Sequence, residues 1–411
     1  MIRWIIFIVI IGVADFYAFQ TLRTLTKSTW WYAVYWLFTI AILGNFIYQF
    51  FGFNRSDGFS HSNSYAVGFL IAMAVPKLVL IIVMFGEDIF RVPQAIYSYF
   101  TQNSNLEGNH FPARRKFVSQ IALGMAAIPF ASVLYGIYKG KYNFKVLNYT
   151  LYFEDLPDAF DGYKLTQISD VHSGSFDNID KVEYAIDLIN EQQSDVILFT
   201  GDMVNNKATE MHPYLDIFKK LKAKDGMYSV LGNHDYGDYV DWDSDEAKVQ
   251  NLLDLKTLQK DIGFDLLLNE NRFIEKDGQR IALVGVENWG IGGFKQAGDL
   301  KKASSLVDKD DFKILMSHDP SHWDAEVVND AYHYHLTLSG HTHGMQFGIE
   351  IPGWFKWSPV KWRYKRWAGI YEALDQYINV NRGFGYLAFP GRVGIWPEIT
   401  VIELKKGKKE A

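Results

Sequence analysis

The chain contains no cysteine in its 411 residues. That excludes disulfides, zinc-thiolate sites and cysteine nucleophiles, so any metal must be held by oxygen and nitrogen, although the redox compartment stays undecided. A basic excess is missing too. The formal net charge is -6, whereas a dedicated nucleic-acid binder carries a basic domain, so no nucleic-acid partner is expected. Internal repeats are absent, and the one biased tract is the terminal Lys405-Lys406-Gly407-Lys408-Lys409, which reads as a solvated tail or a contact for anionic lipid.

Long apolar runs, by contrast, are plentiful. Stretches at residues 4–21, 30–51, 65–85 and 117–138 each approach the roughly 20 residues that cross a bilayer as helix. They predict a membrane domain over residues 1–142 with four transmembrane helices. Asp15 and Lys77 fall inside these stretches, where a lone charge is costly, so they are expected to pair or to face the bundle interior. Basic residues of short loops prefer the cytoplasm. Arg23, Lys27, Arg91, Arg114, Arg115 and Lys116 lie on one side, against Arg3, Arg55, Lys139, Lys141 and Lys145 on the other. The balance places the second half of the chain on the outer face of a bacterial inner membrane. The run Arg114-Arg115-Lys116-Phe117 reads either as an internal twin-arginine-like signal or as a basic stop-transfer flank.

From about residue 143 short apolar runs alternate with amphipathic segments. Residues 163–168, 196–200, 227–231, 281–286, 313–316 and 336–338 read as strands, and 179–192 and 247–258 as helices. This alternation predicts an α/β layered domain over residues 143–411 with ligands at the carboxyl ends of strands. The chemistry gathers in five segments at or near such ends: Asp170-Val171-His172, Gly201-Asp202, Gly232-Asn233-His234-Asp235, Ser317-His318 and Gly340-His341-Thr342-His343. Carboxylates, imidazoles and one amide form a donor mixture for two divalent ions, with manganese, iron, zinc and cobalt all acceptable.

The order D-x-H, G-D, G-N-H-D, H and G-H-T-H resembles the calcineurin-like metallophosphoesterase superfamily. The closing Val380-Asn381-Arg382-Gly383-Phe384-Gly385, Arg392 and Pro397-Glu398-Ile399-Thr400 are similar to its bacterial membrane-associated branch, which includes UDP-2,3-diacylglucosamine hydrolase-like enzymes. The resemblance implies a calcineurin-like β-sandwich flanked by helices, behind the transmembrane bundle. It also implies that Asp170, His172 and His343 hold one metal, that Asn233, His318 and His341 hold a second, and that Asp202 bridges them. Two cations about 3.5 to 4 Å apart do need a shared anion. Water activated by the ions would attack phosphorus in line. His234 would contact phosphate or protonate the leaving oxygen, with Asp235 orienting its ring.

Other residues carry weaker signals. Glu287, Asn288 and Arg382 are candidate substrate contacts, Arg392 either meets substrate phosphate or fixes the final loops, and Asn205 stands where the family often has an acid. His61, His110, His212, His322, His333 and His335 belong to no motif and read as exposed or structurally bonded. Residues 354–367 mix aromatics with cations, as a membrane-interface segment does, or as a loop whose tryptophans cover the domain. The whole predicts a membrane-anchored dimetal phosphoesterase acting on a phosphodiester or pyrophosphate bond in a phosphorylated lipid, either of the UDP-2,3-diacylglucosamine type or a phospholipid. The competing reading is a silent membrane sensor or scaffold that binds a phosphorylated ligand without turnover.

Overall fold

The computed structural model describes residues 2–101, 112–351 and 353–408; His110 and Lys409 lie outside the described residues. The chain forms two compact units, residues 1–53 with 62–137 and residues 54–61 with 138–411.

The first unit holds helices α1 (Ile2–Leu25), α2 (Thr29–Phe51), α3 (His61–Thr101) and α4 (Pro112–Tyr138). Each contains a stretch long and apolar enough to cross a membrane. Many of their apolar side chains are exposed, among them Ile6, Val9, Phe16, Leu37, Ile82 and Ile128. Lys77 Nζ lies 2.7 Å from both Asp15 Oδ1 and Thr39 Oγ1, so the two intramembrane charges pair as their cost in hydrocarbon requires. Helix α3 runs 41 residues, well past the expected 65–85. Hydropathy registers only its apolar part. Beyond Phe85 the helix continues through Glu87 and Asp88, which bind Arg115 Nη1 at 2.9 and 2.7 Å, while Arg91 Nη2 meets Asp88 at 3.0 Å.

The second unit is a sandwich of two six-stranded sheets. The first sheet runs, edge to edge, β1 (Lys145–Phe153), β14 (Glu398–Lys406), β2 (Lys164–Ile168), β3 (Val196–Phe199), β4 (Met227–Ser229) and β5 (Phe264–Leu266). The second runs β12 (Gly369–Ala373), β13 (Gln376–Val380), β9 (Leu336–Ser339), β8 (Phe312–Met316), β7 (Gln279–Gly285) and β6 (Glu270–Lys276). A small hairpin, β10 (Ile349–Ile351) and β11 (Phe355–Trp357), stands apart. Strands β2 to β5 pair in parallel, as do β7, β8, β9 and β13.

The layering comes from the strand period of two. In β3, Val196 and Leu198 enter the core between the sheets, while Ile197 and Phe199 face helices α5 (Ile179–Glu191), α6 (Leu215–Phe218) and α7 (Asp245–Ile262). In β7, Ile281 and Leu283 point into the same inter-sheet core and Ala282 and Val284 into a third, outer cluster. Near-continuous apolar strands are what sheets covered on both faces require. The α/β sandwich with flanking helices thus agrees with the expectation from sequence. Because β2, β3 and β4 of one sheet and β8 and β9 of the other are parallel within each sheet, the motif beyond each strand emerges with its neighbours.

Candidate metal centre

Every motif sits just past a strand. Asp170 follows β2, Asp202 follows β3, Asn233 follows β4, His318 follows β8 and His341 follows β9. Short backbone bonds tie these turns together: Asp170 N to Gly201 O at 2.9 Å, His172 N to Asp202 O at 3.1 Å and Gly340 N to His318 O at 2.9 Å. Asp170, His172, Asp202, His341 and His343 all adopt left-handed backbone, with φ between 47° and 69°. Non-glycine residues there carry local strain, and such strain collects at functional sites. At Gly232 and Gly340 a side chain cannot be tolerated, because a Cβ would strike the carboxylates of Asp202 and Asp170 respectively.

The donors converge in three groups whose ligand atoms all lie within 4.8 Å of one another: Asp170-His172-His343, His172-Asp202-His234 and Asp202-His318-His341. Asp202 Oδ2 is 3.1 Å from His318 Nε2 and 3.6 Å from His172 Nε2, and Asp170 Oδ1 is 3.2 Å from His343 Nε2. Despite these distances, His172 Nδ1 and Nε2, His318 Nε2 and His343 Nε2 are buried without a hydrogen bond among the described residues. Buried polar atoms normally find partners. Ring nitrogens brought within 3.1 to 3.6 Å of carboxylates without completing a hydrogen bond have the arrangement of a ligand set, so the residues present fit divalent metal. Asn233 completes it: its Nδ2 donates to Tyr239 Oη at 2.8 Å, leaving Oδ1 beside His341 Nδ1 at 2.7 Å.

Second partners orient the rings. His318 Nδ1 donates to Thr200 O at 2.7 Å, which turns Nε2 towards Asp202. Arg392, fully buried, donates to Gly383 O and Gly385 O and places Nη2 3.2 Å from His343 Nδ1, so it fixes both the closing loop and a candidate ligand. Such outer contacts set which nitrogen is available.

Burial is the largest influence on these groups, and at Asp202, Asp170 and His318 the neighbouring charges reverse its direction. It would raise Asp202, yet the charges of His318 and His234 hold that carboxyl well below the usual range. Burial would lower His318, but Asp202 beside it pushes the ring up to about 10. His172 is driven well below its ordinary value by burial and by His234, and His341 falls to about 4 for the first reason. Asp202 and Asp170, the latter held low by His343 against its own burial, thus stay ionised among imidazoles of opposed tendency.

Several expected roles change. Asp235 does not orient His234. It is fully buried, and its oxygens accept from the N–H groups of Asp202, Met203 and Gly232 at 2.8 to 2.9 Å, pinning two ligand turns together. The His234 ring is held instead by Asn205 O, 2.7 Å from Nδ1. Arg382 is buried in ion pairs with Glu350 and Glu398 at 2.5 Å. Glu287 accepts from Tyr236 Oη at 2.8 Å, and Asn288 donates to Lys295 O at 2.6 Å. These three residues are engaged within the protein and do not join the cluster. His322 and His335 are structural: one bonds Ser317 Oγ at 2.9 Å, the other Asp155 at 2.7 Å.

Sequence reading missed Asp319, buried and 3.6 Å from His341 Nε2, and Tyr364, whose hydroxyl is 2.7 Å from the same nitrogen. Asp319 adjoins a motif histidine, a signal that could have been used. Tyr364 lies in the aromatic-basic segment, where its partner is visible only in the fold. Within that segment Trp367 is buried against Val360 and Ile395, as a covering tryptophan would be, whereas Trp354 and Trp362 are 80% and 76% exposed.

A sandwich carrying nitrogen and oxygen donors on its strand ends, preceded in the chain by four apolar helices, defines a membrane-anchored metal-dependent hydrolase. Comparison with known proteins supplies the family. Residues 2–141 match the family described as "Probable Calcineurin-like phosphoesterase, transmembrane domain", and residues 163–345 match "Calcineurin-like phosphoesterase". The "Uncharacterized metallophosphoesterase YkuE" of Bacillus subtilis (strain 168) is 32% identical over 61% of this chain and 82% of its own length. The "Uncharacterized metallophosphoesterase YkoQ" of the same organism is 26% identical over 68% and 97%. An "Uncharacterized metallophosphoesterase" of Helicobacter pylori (strain ATCC 700392 / 26695) is 24% identical over 98% of both chains. The chain belongs to the calcineurin-like metallophosphoesterases, and it is a metal-dependent phosphoester hydrolase joined to an integral membrane segment.

Proposed function

We propose that the enzyme hydrolyses a phosphodiester or pyrophosphate bond in a lipid, with residues 1–142 as its membrane domain and 143–411 as its catalytic domain on the outer face of a bacterial inner membrane. The observation that carries the reading is the convergence of unbonded His172, His318 and His343 nitrogens on Asp170 and Asp202, in a chain that also carries four helices fit to cross a bilayer. Asp170, His172 and His343 would hold one divalent ion and Asn233, His318 and His341 another, with Asp202 shared. Such ions, drawn from manganese, iron, zinc or cobalt, supply charge for phosphate oxygens and make water more acidic.

The chain's own groups then divide the remaining work. The tautomer fixed by Asn205 leaves His234 Nε2 directed to the centre as an acceptor. Burial lowers this ring's pKa, but an arriving anionic phosphate favours its protonated form, which can then donate to the leaving oxygen. Asp235 and Arg392 keep the turns in register. The silent-scaffold reading has no support in a ligand set this complete.

The test is cleavage of defined lipids, followed by mass spectrometry: UDP-2,3-diacylglucosamine and dioleoyl phospholipids presented to the full-length protein in detergent. Wild type should cleave at least one and Asp202→Ala none. If bis-p-nitrophenyl phosphate is split but no lipid is, the lipid assignment falls and the phosphoesterase stands. A compartment-sensitive reporter at the carboxyl terminus tests the outer placement, which a cytoplasmic signal would overturn.

A further inference from the structure

Next to His341 lies a cavity of about 220 Å³ whose walls include Ser321, Asp324, Arg363, Tyr364, Lys365 and Arg366. It shares structure with the metal centre: Tyr364 Oη is 2.7 Å from His341 Nε2, and Phe294, whose ring meets His341 edge-on at 4.8 Å, lies 5.6 Å from the Arg363 guanidinium. The single acid in this wall, Asp324, is already spent in an ion pair with Arg366, whose guanidinium stacks 4.2 Å over Trp323.

What remains is one-sided in its chemistry. Ser321 Oγ and Arg366 Nε are buried and bonded to nothing among the described residues. Arg363 and Lys365 are exposed, and among the described residues no carboxylate pairs with either. Hydroxyl, guanidinium and ammonium can all donate, and the charged members cannot accept. A cationic ligand would be repelled and a neutral one would leave the charges of Arg363 and Lys365 uncompensated, whereas a phosphate offers oxygens for these donors together with the opposite charge.

We propose that this cavity is a second anion subsite, which holds a phosphate or comparable anionic group of the substrate other than the one hydrolysed. The inference rests on the phosphoesterase reading of the adjoining centre and narrows its substrates to molecules with two anionic groups. A lipid headgroup and a soluble nucleotide share that chemistry.

Calorimetry on the manganese-loaded full-length protein in detergent tests it without requiring turnover. Thymidine 3′,5′-bisphosphate should bind more tightly than thymidine 5′-monophosphate, by roughly tenfold. Lys365→Gln and Arg363→Gln should each remove most of that preference, and Lys365→Arg should keep it. Equal affinity of wild type for the two nucleotides, or a preference unchanged in both glutamine variants, overturns the subsite. In a competition arm, dioctanoyl phosphatidate displacing the bisphosphate at lower concentration than glycerol 3-phosphate indicates a lipid source, and the reverse order a soluble one. Either order supports the subsite if Lys365→Gln weakens the competition, and an undiminished competition counts against it. Release of p-nitrophenol from bis-p-nitrophenyl phosphate, read separately, tests the phosphoesterase reading alone.

Discussion

The two units of the protein bury opposite things. In the membrane unit many apolar side chains are exposed and the interior keeps Asp15, Thr39 and Lys77. In the sandwich unit Leu165, Val196, Ile314 and Leu338 fill the interior, and buried polarity collects past one end of the strands. The difference lies in how each unit treats its buried charges. Asp15 and Lys77 have opposite sign and lie 2.7 Å apart, and Lys77 Nζ is engaged by both Asp15 Oδ1 and Thr39 Oγ1, so the two charges cancel although Asp15 Oδ2 has no hydrogen bond among the described residues. At the strand ends Asp170 and Asp202 stand among imidazoles of which both nitrogens of His172 and the Nε2 atoms of His318 and His343 have no hydrogen bond among the described residues. A buried pair that closes on itself is structure, whereas a buried cluster held open at strained backbone is prepared for something to enter.

Substitutions can break this contrast, and the largest effect is expected at its centre. Asp202→Ala should lower phosphoester turnover by about a thousandfold while leaving the thermal unfolding midpoint close to wild type. Next, Lys77→Ala leaves Asp15 unpaired inside the membrane unit and should cost about 3 kcal/mol of stability, seen in detergent unfolding. Asp15→Asn with Lys77→Met, which removes both charges, should recover most of that loss. If the single variant is as stable as wild type, the pair is not structural. His234→Asn should reduce kcat by about a hundredfold with metal content unchanged by plasma mass spectrometry; loss of metal together with rate would make His234 a ligand instead. The smallest effect is Tyr364→Phe, which deletes one bond to His341 Nε2 and should weaken metal affinity by roughly tenfold, measured by competition with a chelator.

The sequence made legible what is local or periodic. The spans, the strands leading into each motif, and the seven proposed ligands were readable because apolar runs and ligand segments are contiguous in the chain. Strands β1 and β14 were not, since their parallel pairing, Lys145 with Glu398 through Phe153 with Lys406, joins the two ends of the catalytic unit and leaves no local mark. The role of Asp235 was misjudged for a related reason. Adjacency to His234 suggested a side-chain contact, but the residue turns away to collect backbone N–H groups that only the assembled turns bring together. The continuation of α3 past the bilayer length was hidden by its charges, which are satisfied by α4.

Metal dependence of the strand-end cluster is tested most directly by one measurement, the rate of bis-p-nitrophenyl phosphate hydrolysis by purified full-length protein after chelation and then after manganese is returned. Chelation should abolish turnover, manganese should restore it, and in Asp202→Ala manganese should restore nothing. Turnover that persists in chelator, or that is undiminished in Asp202→Ala, would contradict a metal-dependent hydrolase built on these residues.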